Sequence, residues 1–173
     1  MNAPAGHRIW SGIICPEPPP CRQRHDELLL QAQAMLATRE RNFPMMVQRR
    51  EMTGEEAEAQ LRTFRMLVGD IEWIIATKSG EQSGDIPITE ADRRAICAAL
   101  DNSVETLGQI AAEAGHPMSM QLSEQAHDVI AMRWNYAPER GPLGGPAEQH
   151  GCAIFNGGIN RELRISQKRK ATA

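Results

Sequence analysis

Residues 39–71 read RERNFPMMVQRREMTGEEAEAQLRTFRMLVGDI, and this stretch decides the fold class. Asn42 and Phe43 precede Pro44, and a residue before proline avoids α geometry, so a helix is expected to stop there. Pro44 suits the opening of a short helical turn through Val47. A second helix starts at Met52-Thr53. Thr53 is a good N-cap, and Glu56 three residues later completes a capping-box pattern. Ala57, Leu61, Phe64, Val68, Ile71 and Ile75 then alternate spacings of four and three, a seam suited to antiparallel packing against the preceding helix. Lys78-Ser79-Gly80 supplies the stop. The stretch therefore specifies a helical hairpin.

Upstream, the first helix is expected from about Asp26 to Arg41. Asp26 and Glu27 suit its positive end and Arg39 and Arg41 its negative end. Leu28, Ala32, Met35, Leu36 and Arg39 recur at helical spacing. Downstream, residues 81–87 read as a loop, and Thr89 caps a third helix with Asp92 in the reciprocal position. Its stripe is Ile96, Leu100, Val104, Leu107, Ala111 and Ala114, and Gly115-His116-Pro117 ends it. A fourth helix is expected over about 119–134, capped by Ser119 or Ser123, with Leu122, Ala126, Val129, Ile130 and Trp134 inward. The expectation is an all-α, four-helix bundle-like domain over residues 25–135, built on the antiparallel hairpin.

Both flanks differ in composition. Residues 1–24 read as a Pro-rich arm, with strand-like content at 7–15 and extended geometry imposed by Pro18-Pro19-Pro20. Residues 136–173 read as a Gly/Pro-rich extension. Within it, 152–165 fits either a β-hairpin turning at Asn156-Gly157-Gly158 or a tail with an incidental turn signal. Such a hairpin could pair with residues 7–14. Residues 166–173 form a basic end.

The 173 residues suit one domain with tails. Hydrophobic residues make up 41% and aromatics only 4%, so aliphatic side chains and nine Met must fill the core. The net charge of −3 conceals a split. Residues 25–133 carry 10 Lys/Arg against 18 Asp/Glu, while residues 134–173 carry 6 against 3. An acidic body argues against tight nucleic-acid binding by that body, since phosphates are neutralised by Lys and Arg. The four Cys form no dense framework, and Cys97 falls on an apolar helix face as a buried thiol. No segment has the length of a signal peptide's apolar run or of a membrane span, and with the sparse cysteines this fits a reducing cytoplasm.

The motifs that carry chemistry are sparse. Cys15, Cys21 and His25 give C-x5-C-x3-H, to which His150 and Cys152 could add a distant pair; the spacing is looser than zinc's and stiffened by prolines, so neither metal nor cofactor is expected. Glu124 and His127 are one helical turn apart, which fits a surface pair better than acid–base work. A small enzyme built on them would require a concave pocket holding both. There is no GxSxG elbow and no phosphate-binding glycine loop. The one basic concentration in the acidic body is Arg39, Arg41, Arg49 and Arg50 around the Phe43-Pro44 bend. It reads as a docking patch for phosphate or an acidic partner, against ordinary helix-end charge complementarity.

The bend and second helix resemble a group of short bacteriophage and prophage proteins of unknown function. The shared pattern is an Arg-rich helix, aromatic-Pro-x-x-Val, Met-Thr, an Ala four residues on, and a helix ending in an acidic residue. Arg39, Arg41, Phe43, Pro44, Val47, Met52, Thr53, Ala57, Leu61, Val68 and Asp70 occupy these positions. Phe43 stands where Tyr is commoner, and Arg50-Glu51 where Gly-Arg is usual. The resemblance implies a non-enzymatic accessory protein that binds a host or phage macromolecule, inhibition of a host defence complex being one form of that. A protein partner is expected, with a nucleic-acid-associated regulator using the basic bend and tails as the alternative.

Overall fold

The computed structural model describes residues 3–81, 84–113, 120–137 and 146–171, except for the side chains of 120–122 and 146–148. The chain is mostly helical with one small antiparallel sheet. The elements are β1 (His7–Trp10), β2 (Ile13–Pro16), α1 (His25–Gln48), α2 (Gly54–Lys78), α3 (Glu90–Glu113), α4 (Met120–Asn135) and α5 (Pro146–Ala171). The stop expected at 115–117 and the cap at Ser119 lie outside the described residues, as do positions 138–145 of the expected linker.

Helix α1 runs seven residues further than the sequence suggested, passing through Pro44 to end at Gln48. Its termination is a Schellman motif. The Glu51 N–H donates to the Met46 carbonyl at 2.9 Å and the Arg50 N–H to the Val47 carbonyl at 3.0 Å. Arg50 itself has φ +60°, a left-handed conformation that usually calls for glycine. The bend is thus set by carbonyl capping after Gln48, and Pro44 is carried inside the helix, where it forgoes one backbone bond.

Thr53 opens α2 as expected. Its hydroxyl accepts from the Glu56 N–H at 3.1 Å, and the Glu56 carboxylate accepts from the Thr53 N–H at 2.7 Å. Thr89 and Asp92 form the same reciprocal pair at the start of α3. His25 meets Lys78 and Glu40 meets Arg65, so contacts run in opposite order along α1 and α2 and the two are antiparallel. The buried line on α2 is Ala57, Phe64, Leu67, Ile71 and Ile74, with Asp70, Trp73 and Thr77 beside it. Leu61, Val68 and Ile75 lie at its margin. The stripe is rotated from the expected seam because α2 packs against α1, α3 and α5 together.

The N-terminal segment, expected as an arm, belongs to the core. Ser11 and Gly12, with φ 46° and 88°, make the tight turn between β1 and β2. Trp10, Ile13, Cys15 and Cys21 are buried in the same cluster as Leu28, Phe64, Leu100 and Ile130. A Cβ on Gly108 would sit 2.1 Å from the Ser11 carbonyl oxygen, so this glycine lets the hairpin turn reach α3.

Residues 152–165 correct the sequence reading most. They form neither a β-hairpin nor a pairing with residues 7–14; they are the middle of α5, and β1 pairs with β2 instead. Pro146 stands at the first helical position, where its missing N–H costs nothing. Arg161 to Arg164 are good helix formers, and Lys168, Arg169 and Lys170 suit the negative end of the helix. The turn signal at 156–158 is overridden by contact with α2.

Candidate functional site

Helix α5 docks by a narrow face on the second half of α2. His150 donates from Nε2 to Asp70 Oδ1 at 2.8 Å, and the Tyr136 hydroxyl donates to Asp70 Oδ2 at 2.5 Å. Asp70, Tyr136 and His150 come from α2, the end of α4 and α5, and all three are buried. Burial, followed by the negative charge of Asp70, pushes the Tyr136 phenol well above its ordinary value, so it stays a donor. The His150 ring also meets Trp73 edge-on, with centroids 5.4 Å apart. The space among these groups is only about 10 Å³, too little to admit a substrate. The triad is therefore a polar joint holding three helices together.

Next to it, His25 Nε2 lies 2.9 Å from Gln149 Oε1 and Nδ1 lies 2.8 Å from the Gln23 carbonyl. Both partners are oxygen acceptors, so a neutral ring, with its single N–H, donates to one of them at a time. Burial and then Lys78, whose Nζ is 3.3 Å from Nδ1, push the His25 pKa down and favour that neutral ring. Further along, a Cβ on Gly157 would lie 2.1 Å from the Thr77 carbonyl oxygen. Asn160 Nδ2 donates to the Lys78 carbonyl at 2.5 Å, capping the last turn of α2.

The opposite face of α5 is apolar and open. Phe155, Ile159 and Leu163 are spaced by four and form one exposed column, with Phe155 at 68% exposure. Ile154 and Ile165 are also exposed, on other sides of the helix. Beyond Asn160 every described residue to Ala171 is exposed, so α5 projects past its dock by roughly 16 Å at helical rise. Arg161, Arg164, Lys168, Arg169 and Lys170 make this projection basic.

The structure does not gather the four arginines singled out from the sequence. Arg41, Arg49 and Arg50 are exposed, and Arg49 lies 4.0 Å from Glu51. Arg39 faces the other way. Its Cζ sits 3.7 Å above the Phe64 ring, and its Nη1 and Nη2 donate to the Met35 carbonyl at 3.0 Å and Ser103 Oγ at 3.1 Å. Residues 39 and 41 are two apart, about 200° around the helix, so they cannot share a face. Arg65, close to the bend, is taken by Glu40 and Glu58.

An open cleft of about 540 Å³ is lined by Cys21, Arg24, Glu27, Glu124, His127 and Asp128 among others. The concave setting that an enzyme built on Glu124 and His127 would require is therefore present. The Cys21 thiol in this cleft is shifted away from nucleophilic use. Burial and then Asp128 push the Cys21 thiol up to about 11, whereas a reactive cysteine is shifted down. That thiol donates to the His127 carbonyl at 3.5 Å, not to its ring. Among the described residues no group of three or more His, Cys, Asp or Glu is arranged to hold a metal ion, and the His25 ring is engaged by Gln23 and Gln149.

The sequence alone offers Asp70 as a position of the phage-protein pattern and His150 as a distant metal-ligand candidate, and nothing in it pairs the two. The available signal was an aspartate on the buried flank of an apolar stripe, between Val68 and Ile71, at the acidic position of the phage-protein pattern. The chain matches no family model, no curated protein and no solved structure.

Proposed function

We propose that this chain is a non-enzymatic accessory protein of the phage or prophage kind, working in the bacterial cytoplasm by binding a protein partner through α5. In this reading α1–α4 form a four-helix bundle-like body that holds α5 in place. The observation that carries it is the exposed Phe155–Ile159–Leu163 column on a helix whose other face is fastened by the Asp70–Tyr136–His150 joint. An apolar helix face of this spacing is the form in which helices enter a partner's groove. The basic flank selects a groove with an acidic rim. Blocking a host defence complex is one outcome such an occupancy would have.

The test compares wild type, F155D/L163D and R49A/R50A in capture from bacterial lysate, with light scattering of each purified protein. An acidic protein retained by wild type and R49A/R50A but lost by F155D/L163D supports the reading. Retention unaffected by F155D/L163D overturns it, as does capture of this chain alone with a matching dimer in solution. Salt-dependent capture of nucleic acid, lost in R49A/R50A, would favour a regulator acting through the bend instead.

A further inference from the structure

Arg39 is the one residue of the expected basic patch that points inward, and its surroundings are unusual for a guanidinium. It is partly buried and stacked on Phe64, and no carboxylate pairs with it among the described residues. Two of the five N–H donors of an arginine are used, by the Met35 carbonyl and Ser103 Oγ. Stacking occupies a face of the guanidinium, so the remaining donors lie along its edge. Ser103 cannot neutralise it, because a hydroxyl carries no charge; its own proton goes to the Ala99 carbonyl at 2.9 Å. Burial pushes Arg39 down to about 10, so the charge is held at a cost that an anion would relieve.

This edge borders a groove of about 420 Å³ between α1, α2 and α3. That volume is within the range of small-molecule sites. The walls sort by chemistry. Ala59, Ala95, Ala99 and Phe64 are apolar, while Gln60 and Asn102 carry side-chain amides that can both donate and accept. Thr63 and Thr106 donate to their own helix backbones, leaving acceptor lone pairs. One fixed cation with a planar fork matches a carboxylate, whereas a phosphate dianion calls for more positive charge than the groove lining contains.

We infer that the groove between α1, α2 and α3 is a binding site for the carboxylate of an N-acylated amino acid or peptide C-terminus, with Arg39 as its anchor. The carboxylate pairs with the Arg39 edge, the N–H of the acyl-amide is accepted by Gln60 or Asn102, and the apolar body lies on the alanines and Phe64. This site is separate from the α5 column and stands whether or not that surface binds a protein.

The test titrates the full chain calorimetrically with four probes: N-acetyl-leucine, N-acetyl-leucinamide, inorganic phosphate, and an apolar tetrapeptide with a free C-terminus. Saturable heat from N-acetyl-leucine, absent with the amide and with phosphate, is the expected result. Tighter binding of the tetrapeptide would identify a chain terminus as the source, and equal or weaker binding a small acyl-amino acid. Arg39→Met should abolish the signal and Q60A/N102A should weaken it without touching the cation. The second variant decides the matter if Arg39→Met does not fold. No saturation in wild type, equal binding of acid and amide, preference for phosphate, or full binding by Q60A/N102A each overturns the assignment.

Discussion

Two of the junctions made by helix α2, with α1 and with α5, are built on different principles. Against α1 it presents Phe64, Leu67 and Ile71 to Leu28, Ala32 and Met35, and every one of these is buried. Against α5 it presents Asp70, Trp73, Ile74 and Thr77 to His150, Ala153 and Gly157. The first junction rests on apolar area, which is non-directional and tolerates small shifts. The second rests on hydrogen bonds from His150 to Asp70 and from Asn160 to the Lys78 carbonyl and on one close backbone approach, which tolerate almost none. It is also less completely satisfied: Trp73 Nε1 and Thr77 Oγ1 are buried without a hydrogen-bond partner among the described residues. The pair separates the part of the chain that makes a core from the part that holds a projecting element to it.

Substitutions at the α5 junction should break this contrast most strongly. Asp70→Ala leaves the Tyr136 hydroxyl and the His150 ring buried without their acceptor, and should cost about 3 kcal/mol. Urea unfolding measures that loss, and trypsin should cleave α5 faster in the variant while the α1–α4 body stays resistant. A cleavage rate equal to wild type would mean that the joint does not retain α5.

Neighbouring glycines sharpen the same point. Gly157→Ala drives a methyl into the Thr77 carbonyl and should weaken docking by about 1–3 kcal/mol. A Cβ on Gly158 would meet nothing within 4 Å, so Gly158→Ala should stabilise α5 by about 0.5–1 kcal/mol through helix propensity alone. Amide hydrogen exchange along 150–165 reads both, and two changes of the same sign would exclude the docked geometry.

At the hairpin, the expected effect is smaller and favourable. Arg50 is strained in the left-handed conformation that Gly80 adopts freely in the matching motif at the end of α2. Arg50→Gly should raise stability by about 0.5–1 kcal/mol, strain relief exceeding the added freedom of the unfolded chain. Thermal unfolding tests it. This is also the position at which the phage-protein pattern usually has glycine.

The smallest effect is on pH dependence. The folded-state pKa of His25 lies below its ordinary value, so near and below about pH 6.5 the unfolded chain binds more protons than the folded one. Its contribution is complete above that value and is lost as pH falls through the window toward the folded pKa. Stability of wild type minus that of His25→Asn, measured across pH 5–8, should therefore decline on acidification. A flat difference would mean that Lys78 and burial do not act on this ring.

Local chemistry explains how much was legible. Thr53 with Glu56 and Thr89 with Asp92 are three residues apart, so both caps could be read directly, and Ile96, Leu100 and Val104 lie on one helix face whatever they pack against. Pro44 misled because proline raises the cost of a helix without forbidding it, and capping carbonyls three and five residues back decided the end. Arg39 was placed with Arg41 on charge alone, although helical geometry already puts them on opposite sides. The cleft around Cys21 and Asp128 joins α1's approach to α4 across more than a hundred residues, a distance no spacing rule spans.

The amino-acid sequence by itself determined where α2 and α3 begin, where α2 ends, and which stripes seek a core, because each depends on groups within one or two turns. Only the tertiary structure decided the state of residues 146–171. Asn156-Gly157-Gly158 has the local preference of a turn, and it becomes helix because Gly157 meets Thr77, Asn160 caps Lys78 and His150 finds Asp70. Those three contacts bridge about eighty residues of chain. Their combined gain outweighs the helix penalty of two glycines, and that balance exists only once α2 is in place.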